Sequence, residues 1–169
     1  MTDPTVPAAS STWVEPEIYY AGLATVHVAA GALITDENGH VLLVKPNYQP
    51  YWLVPGGMAE EGEAPEDACV RELGEELGIS IRLGRLLTVD WAPPYGYRTR
   101  PLVHLLFDGG TLRDTPIRLQ TAELDDHAFV PVDRAVTMLS SATAARIPAA
   151  LAARERQTTV YRPTGVRTG

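Results

Sequence analysis

Glu72, Glu75 and Glu76 lie within one short stretch of this chain, and their spacing suits the binding of a hard cation. On a helix, residues four apart share a face, so Glu72 and Glu76 stack, with Glu75 beside them. Carboxylates packed together repel and raise one another's pKa. Mg²⁺ or Mn²⁺ reverses that penalty, because both prefer oxygen ligands and a few well-placed carboxylates. Such a cation can polarise a phosphoryl oxygen and lower the pKa of a bound water. The plain alternative for Glu-x-x-Glu-Glu alone is a solvated acidic helix face. Gly56-Gly57 and Glu63 ahead, Arg71 beside and Gly78 behind argue against it.

The helix that must carry these acids is legible. Pro65 suits a first helical turn, where its missing N–H would be unpaired anyway. Glu66 and Asp67 favour the positive end of the helix dipole, and Gly78 can adopt the left-handed conformation that ends helices. A helix is therefore expected from Pro65 to Leu77, with Cys69, Val70, Leu73 and Leu77 as an apolar stripe facing a core. Ala64 at the N-cap forgoes about 1 kcal/mol of capping. Gly74 costs about another 0.8–1.0 kcal/mol relative to Ala. Packing and metal, rather than propensity, are expected to hold this helix.

The full pattern is Gly57, Glu63, Arg71-Glu72, aliphatic Leu73, Glu75-Glu76, Gly78 and aliphatic Ile79. It resembles the complete signature of the Nudix hydrolases. By average residue frequencies a chance match is on the order of 10⁻⁸ per chain of this length. The resemblance implies metal-assisted cleavage of a phosphoanhydride. Glu72, Glu75 and Glu76 would be the catalytic acids and, with the Gly56 carbonyl, the ligands of Mg²⁺ or Mn²⁺. Gly57, Glu63, Arg71 and Gly78 would shape the motif, Glu63 and Arg71 tying its loop to its helix. Trp52 to Gly57 resembles the strand and loop that precede the motif in the family.

Composition agrees with a single enzyme domain. The 169 residues are 45% hydrophobic, enough for a sizeable core. The sequence lacks an apolar run long enough to span a membrane, and no secretory signal is visible at its start. One cysteine, Cys69, fits a reducing cytoplasm, and its place on the apolar stripe makes it a packing residue. The net charge of −7 argues against a nucleic-acid surface and does not steer anionic substrates inward. Local arginines and metal must do that.

Residues 1–15 read as a mobile arm with Trp13 as its one anchor, 16–156 as the catalytic domain, and 157–169 as a polar tail. Strands are expected at 24–35, 41–44, 52–54, 81–91, 102–107, 117–120 and 128–130, with a hairpin turn at Asp36–Gly39. Helices are expected at 132–139 and 141–156, the second bent by Pro148. Strands first and helices last imply an α/β protein with a mixed β-sheet sandwiched between helices, α/β/α. The family resemblance implies the same fold, and a homodimer would suit it.

Substrate identity is not in the motif. In the family, a proline fifteen places downstream resembles ADP-ribose hydrolases, and a tyrosine sixteen places downstream resembles diadenosine polyphosphate hydrolases. Pro94 and Tyr95 satisfy both. Trp91, Tyr95 and Tyr97 can stack on a base, and Arg98 and Arg100 can contact phosphates; plain packing and a solvated loop would serve as well. His104 reads as a sheet residue. Glu123, Asp125 and Asp126 read as turn residues that can also bring a further acid, and Glu72 or one of these is the candidate base. The expected substrate is a small nucleotide-type diphosphate or triphosphate. The competing reading is a non-catalytic nucleotide-binding regulatory module. An isomerase on the same scaffold would need a catalytic cysteine elsewhere than Cys69.

Overall fold

The computed structural model describes residues 13–163. Most of the expected N-terminal arm and the end of the tail lie outside them. A seven-stranded mixed sheet forms the middle layer. Its strands are β1 (His27–Thr35), β2 (Val41–Pro46), β3 (Gly56–Met58), β4 (Leu86–Ala92), β5 (Leu102–Thr111), β6 (Leu124–Val130) and β7 (Val160–Pro163). The order is β6-β2-β1-β5-β4-β7, with β3 added to β1. The helices are α1 (Pro16–Ala21), α2 (Pro65–Leu77), α3 (Val132–Met138) and α4 (Arg146–Arg156).

Two cores occupy the two faces of the sheet. On one, Cys69, Leu73 and Leu77 of α2 pack on Ala30, Ile34, Leu42 and Phe107. On the other, Ala135 of α3 and Ile147, Ala150 and Ala153 of α4 pack on Leu33, Leu43, Leu87 and Leu106. The strands in the middle are buried on both sides, which is why β1 and β2 read as continuous apolar runs rather than alternating ones. The layering is α/β/α, as expected.

Several local expectations change. Residues 52–54 do not form a strand. Leu53 makes one bridge to Val44, and the chain then turns at Gly56, whose φ is +135°, into β3. β4 begins only at Leu86, with Gly84 and Arg85 already hydrogen-bonded to Asp108 of β5 just before it, and β5 runs on to Thr111. The segment 117–120 is not a strand. Its amides cap α2 instead, Arg118 N–H donating to Leu77 O at 2.8 Å and Gln120 N–H to Glu76 O at 2.9 Å. Helix carbonyls left without partners were the stronger demand.

The last helix starts at Arg146, not Ser141, so Pro148 falls in its first turn, where it breaks nothing. Residues 160–163, expected in the tail, form β7 parallel to β4. Val70 is 38% exposed and does not join the core face of α2; Ala68 does. The Asp36 turn forms as expected, with Asp36 Oδ1 accepting from the Asn38 and His40 amides at 2.9 and 2.7 Å. None of the described helices is long and apolar enough to cross a membrane.

Candidate active site

α2 has the expected bounds, with Pro65 opening it, no side-chain cap from Ala64, and Gly78 closing it at φ +64°. Its acidic flank faces β3. Gly56 N–H donates to Glu76 Oε2 at 3.3 Å, which ties the loop backbone to the helix. Gly57 stands directly against Glu72. Gly31 on β1 clears the way for this loop, because a methyl group there would meet Pro55 O at 2.8 Å.

Arg71 organises the rest. Its Nε donates to Glu63 Oε1 at 2.9 Å and its Nη2 to Glu63 Oε2 at 3.0 Å, the two-pronged geometry that suits a guanidinium. Nη2 also reaches Met58 O at 3.1 Å. The other nitrogen, Nη1, reaches Glu72 Oε1 at 3.0 Å and Glu75 Oε2 at 3.1 Å. So Arg71 ties β3, the loop and the helix together, and it also faces two of the acids. Glu63 is held below its ordinary pKa, chiefly by the Arg71 hydrogen bond.

Glu76 differs from its neighbours. It is 8% exposed, and burial pushes its pKa up to about 7. The Gly56 amide opposes this rise, while the charges of Glu72, Glu123 and Glu75 add to it. Burial raises Glu72 as well, against the pull of Arg71. Glu123 is an exposed turn residue, as expected, and its charge adds to the rise of both Glu72 and Glu76. Pairing of β2 with β6 sets its position, and Asn47 fixes it, through its N–H to Glu123 O at 2.9 Å and its side chain to Ala122 O at 2.7 Å. Tyr48, which sequence reasoning passed over, follows Asn47 and is largely exposed; partial burial and then the Glu76, Glu123 and Glu72 charges raise its pKa. No local pattern marks it.

Among the described residues, no group of three or more His, Cys, Asp or Glu side chains is gathered tightly enough to cage a metal as it stands. Arg71 holds Glu72 and Glu75 instead. The donor set still fits a hard divalent cation. Two carboxylates whose ionisation is penalised by burial and by one another would be relieved by it. Cys69 offers no competing chemistry, since it is fully buried and burial pushes its thiol up to about 12.

The aromatic loop sits elsewhere. Trp91 is on β4 and the loop joins β4 to β5, while β3 lies on the far side of β1 from β5. Tyr95 and Tyr97 are exposed, and so is Arg100. Arg98 is spent on the loop itself, donating to Pro93 O and Arg100 O, each at 2.9 Å. Thus Glu72, Glu75, Glu76, Gly56, Gly57, Glu63 and Arg71 come together, while Tyr95, Tyr97, Arg98 and Arg100 lie on a loop two strands away, across β1 from β3. His104 lies on β5 with Nδ1 buried and without a hydrogen bond; burial, then the Arg146 charge, holds its ring neutral.

A family model described as NUDIX domain matches residues 25–151. The chain is 39% identical over 66 residues to 8-oxo-dGTP diphosphatase from Proteus vulgaris, covering 37% of this chain and 58% of that protein. It is 46% identical over 56 residues to diphosphoinositol polyphosphate phosphohydrolase 3-alpha from Mus musculus, covering 32% and 34%. The match thus spans about a third to just over half of these relatives' length. The solved MutT protein from Methanosarcina mazei Go1 superposes with a TM-score of 0.66 at 21% identity, over 80% of this chain and 98% of that one. The MutT NUDIX hydrolase from Burkholderia pseudomallei gives 0.62 at 25%, over 73% and 97%.

Proposed function

The chain belongs to the Nudix family, and from that premise we propose that it is a Mg²⁺-dependent hydrolase of phosphoanhydride bonds in nucleotide-type substrates. The observation that carries this reading is the Glu72–Glu76 pair held against Gly56 and Gly57. Glu72, Glu75, Glu76 and the Gly56 carbonyl are the groups we assign to hold the cation. When bound, a divalent cation neutralises and polarises the phosphoryl oxygens and makes water easier to deprotonate.

The protein's own contribution is positioning. Gly56 and Gly57 let the β3 backbone close onto β1 and onto the Glu72 carboxylate, since a side chain at either would collide with Ala30 O or with Glu72. Glu123, on the loop before β6, is the carboxylate we assign to take the proton from the attacking water. Arg71 keeps the helix and loop in register through Glu63 and Met58, and its bonds to Glu72 and Glu75 would compete with a cation for those two carboxylates.

The relatives' names point to nucleoside triphosphates and to inositol diphosphates, so the substrate has to be found by assay. A panel of nucleoside triphosphates, ADP-ribose, dinucleoside polyphosphates, nucleotide sugars and diphosphoinositol phosphates would be incubated with and without Mg²⁺ and monitored by phosphate release. Mg²⁺-dependent turnover of at least one nucleotide is expected. Tight binding of one ligand with no turnover of any would overturn the hydrolase reading in favour of a regulatory module.

A further inference from the structure

Two apolar surfaces of this chain face solvent. The first is the segment that precedes β1. Trp13, Ile18, Tyr19, Tyr20, Leu23 and Val26 are each between 42% and 68% exposed, and no residue of α1 is buried. A helix of six residues is far shorter than one that holds alone in water, so it needs a surface to pack on. The second surface is on the sheet. Leu105 of β5 packs against the core under α2, and directly paired residues project on the same side. Val89 pairs with Leu105, Trp91 with Val103, and Tyr161 of β7 with Val89. On this side α2 lies over β1 and β3, whereas α4 covers β4 and β7 from the other side. Val89, Trp91, Val103 and Leu105 are left half-buried, and Tyr161 is exposed. A groove of about 510 Å³ between α2 and residues 81–86 extends the face, with Val70, Leu86 and Phe107 in its lining.

The two surfaces match in character and in size. Aromatic side chains carry about 150–250 Å² each, so the exposed apolar part of the segment comes to on the order of 800 Å², one partner's share of a standard interface. In the single chain that area stays uncovered. The segment's only charges are Glu15 and Glu17, which suit it poorly to anionic lipid surfaces. Residues 13–24 and Tyr161 also lie outside the residues 25–151 that the family model covers, so part of each surface is foreign to the shared domain. A surface and its complement on one chain are both satisfied by a twofold dimer. We infer that two copies associate by exchanging these segments, residues 13–26 of each lying across the β5–β4–β7 face of the other. This exchange does not depend on the hydrolase reading.

Sedimentation velocity over a range of micromolar concentrations would compare the full wild-type chain with two variants. The segment variant is Ile18→Glu with Tyr20→Glu, and the face variant is Tyr161→Glu. All three positions are exposed, and circular dichroism would verify the fold. A wild-type dimer is expected, weakened at least about a hundredfold in each variant because each substitution strikes both symmetric contacts. Mixing the variants is the decisive measurement. The segment variant keeps an intact face and the face variant an intact segment, so together they rebuild one of the two contacts. A heterodimer tighter than either variant's own dimer is expected. A wild type that stays monomeric throughout overturns the exchange, as does a dimer that both variants leave unchanged. Loss of association in only one variant, or a mixture no tighter than its components, means segment-on-segment or face-on-face contact and overturns it as well.

Discussion

A methyl group placed on Gly57 would lie 2.3 Å from the Glu72 carboxyl carbon, so the carboxylate occupies the space that any larger residue at 57 would need. Glycine is required here for room. The β3 backbone and the helix flank can meet only because this side chain is absent. Gly57→Ala is therefore expected to push Glu72 aside or lift the loop, cutting kcat/KM by at least about a hundredfold, since small misplacements at reacting centres are that costly. Steady-state kinetics beside a thermal melt will test this. A variant with unchanged kinetics would show that the Glu72 position is not critical.

Glu76→Gln keeps the shape of the side chain and removes its charge. Mg²⁺-dependent turnover should be lost while the fold is retained, because Gln binds a hard cation poorly. Activity of the wild-type order in this variant would end the assignment of Glu76 as a ligand.

Stability without metal should depend on pH in an unusual direction. The Glu76 pKa in the fold, about 7, exceeds its ordinary value of 4.5, so the fold favours the protonated form. This contribution is fully present below pH about 4.5 and is lost as pH rises through 7. In EDTA, the melting temperature should therefore rise by a few degrees between pH 8 and pH 6. Glu63, lowered by Arg71, acts oppositely and withdraws support at acid pH. Mg²⁺ at pH 8 should restore stability by mass action, and Glu76→Gln should flatten the neutral-range slope. Scanning fluorimetry over pH, with and without EDTA, reads all three.

The helix also carries two correctable weaknesses. A methyl group on Gly74 would have no neighbour nearer than Ile79 O, at 4.0 Å, and Ala64 has the extended backbone of an N-cap without a capping side chain. Gly74→Ala and Ala64→Ser should each add about 0.5–1 kcal/mol, or roughly 2–4 °C in melting temperature. Denaturant titration would show a higher midpoint at unchanged slope. No gain from either would mean that packing alone sets the stability of α2.

The bounds of α2, its acidic flank and the motif glycines could be read from the sequence because they are local. Proline, glycine and a 3.6-residue period act over neighbouring residues, and Pro65–Leu77 is decided by contacts within one helix. The α/β/α layering was legible for a similar reason, since β1 and β2 are apolar on both faces. What the sequence could not decide depends on partners far away along the chain. The 120–123 turn is held beside the end of α2 because β6 pairs with β2, Gln120 N–H bonds Glu76 O and Asn47 grips the turn, a relation between residues that no spacing encodes. Residues 117–120 look like a strand by composition, but the open carbonyls at the end of α2 were the nearer need. Residues 160–163 look like a polar tail until β4 offers them an unpaired edge. Local chemistry named the acids, and long-range backbone pairing chose which further groups stand beside them.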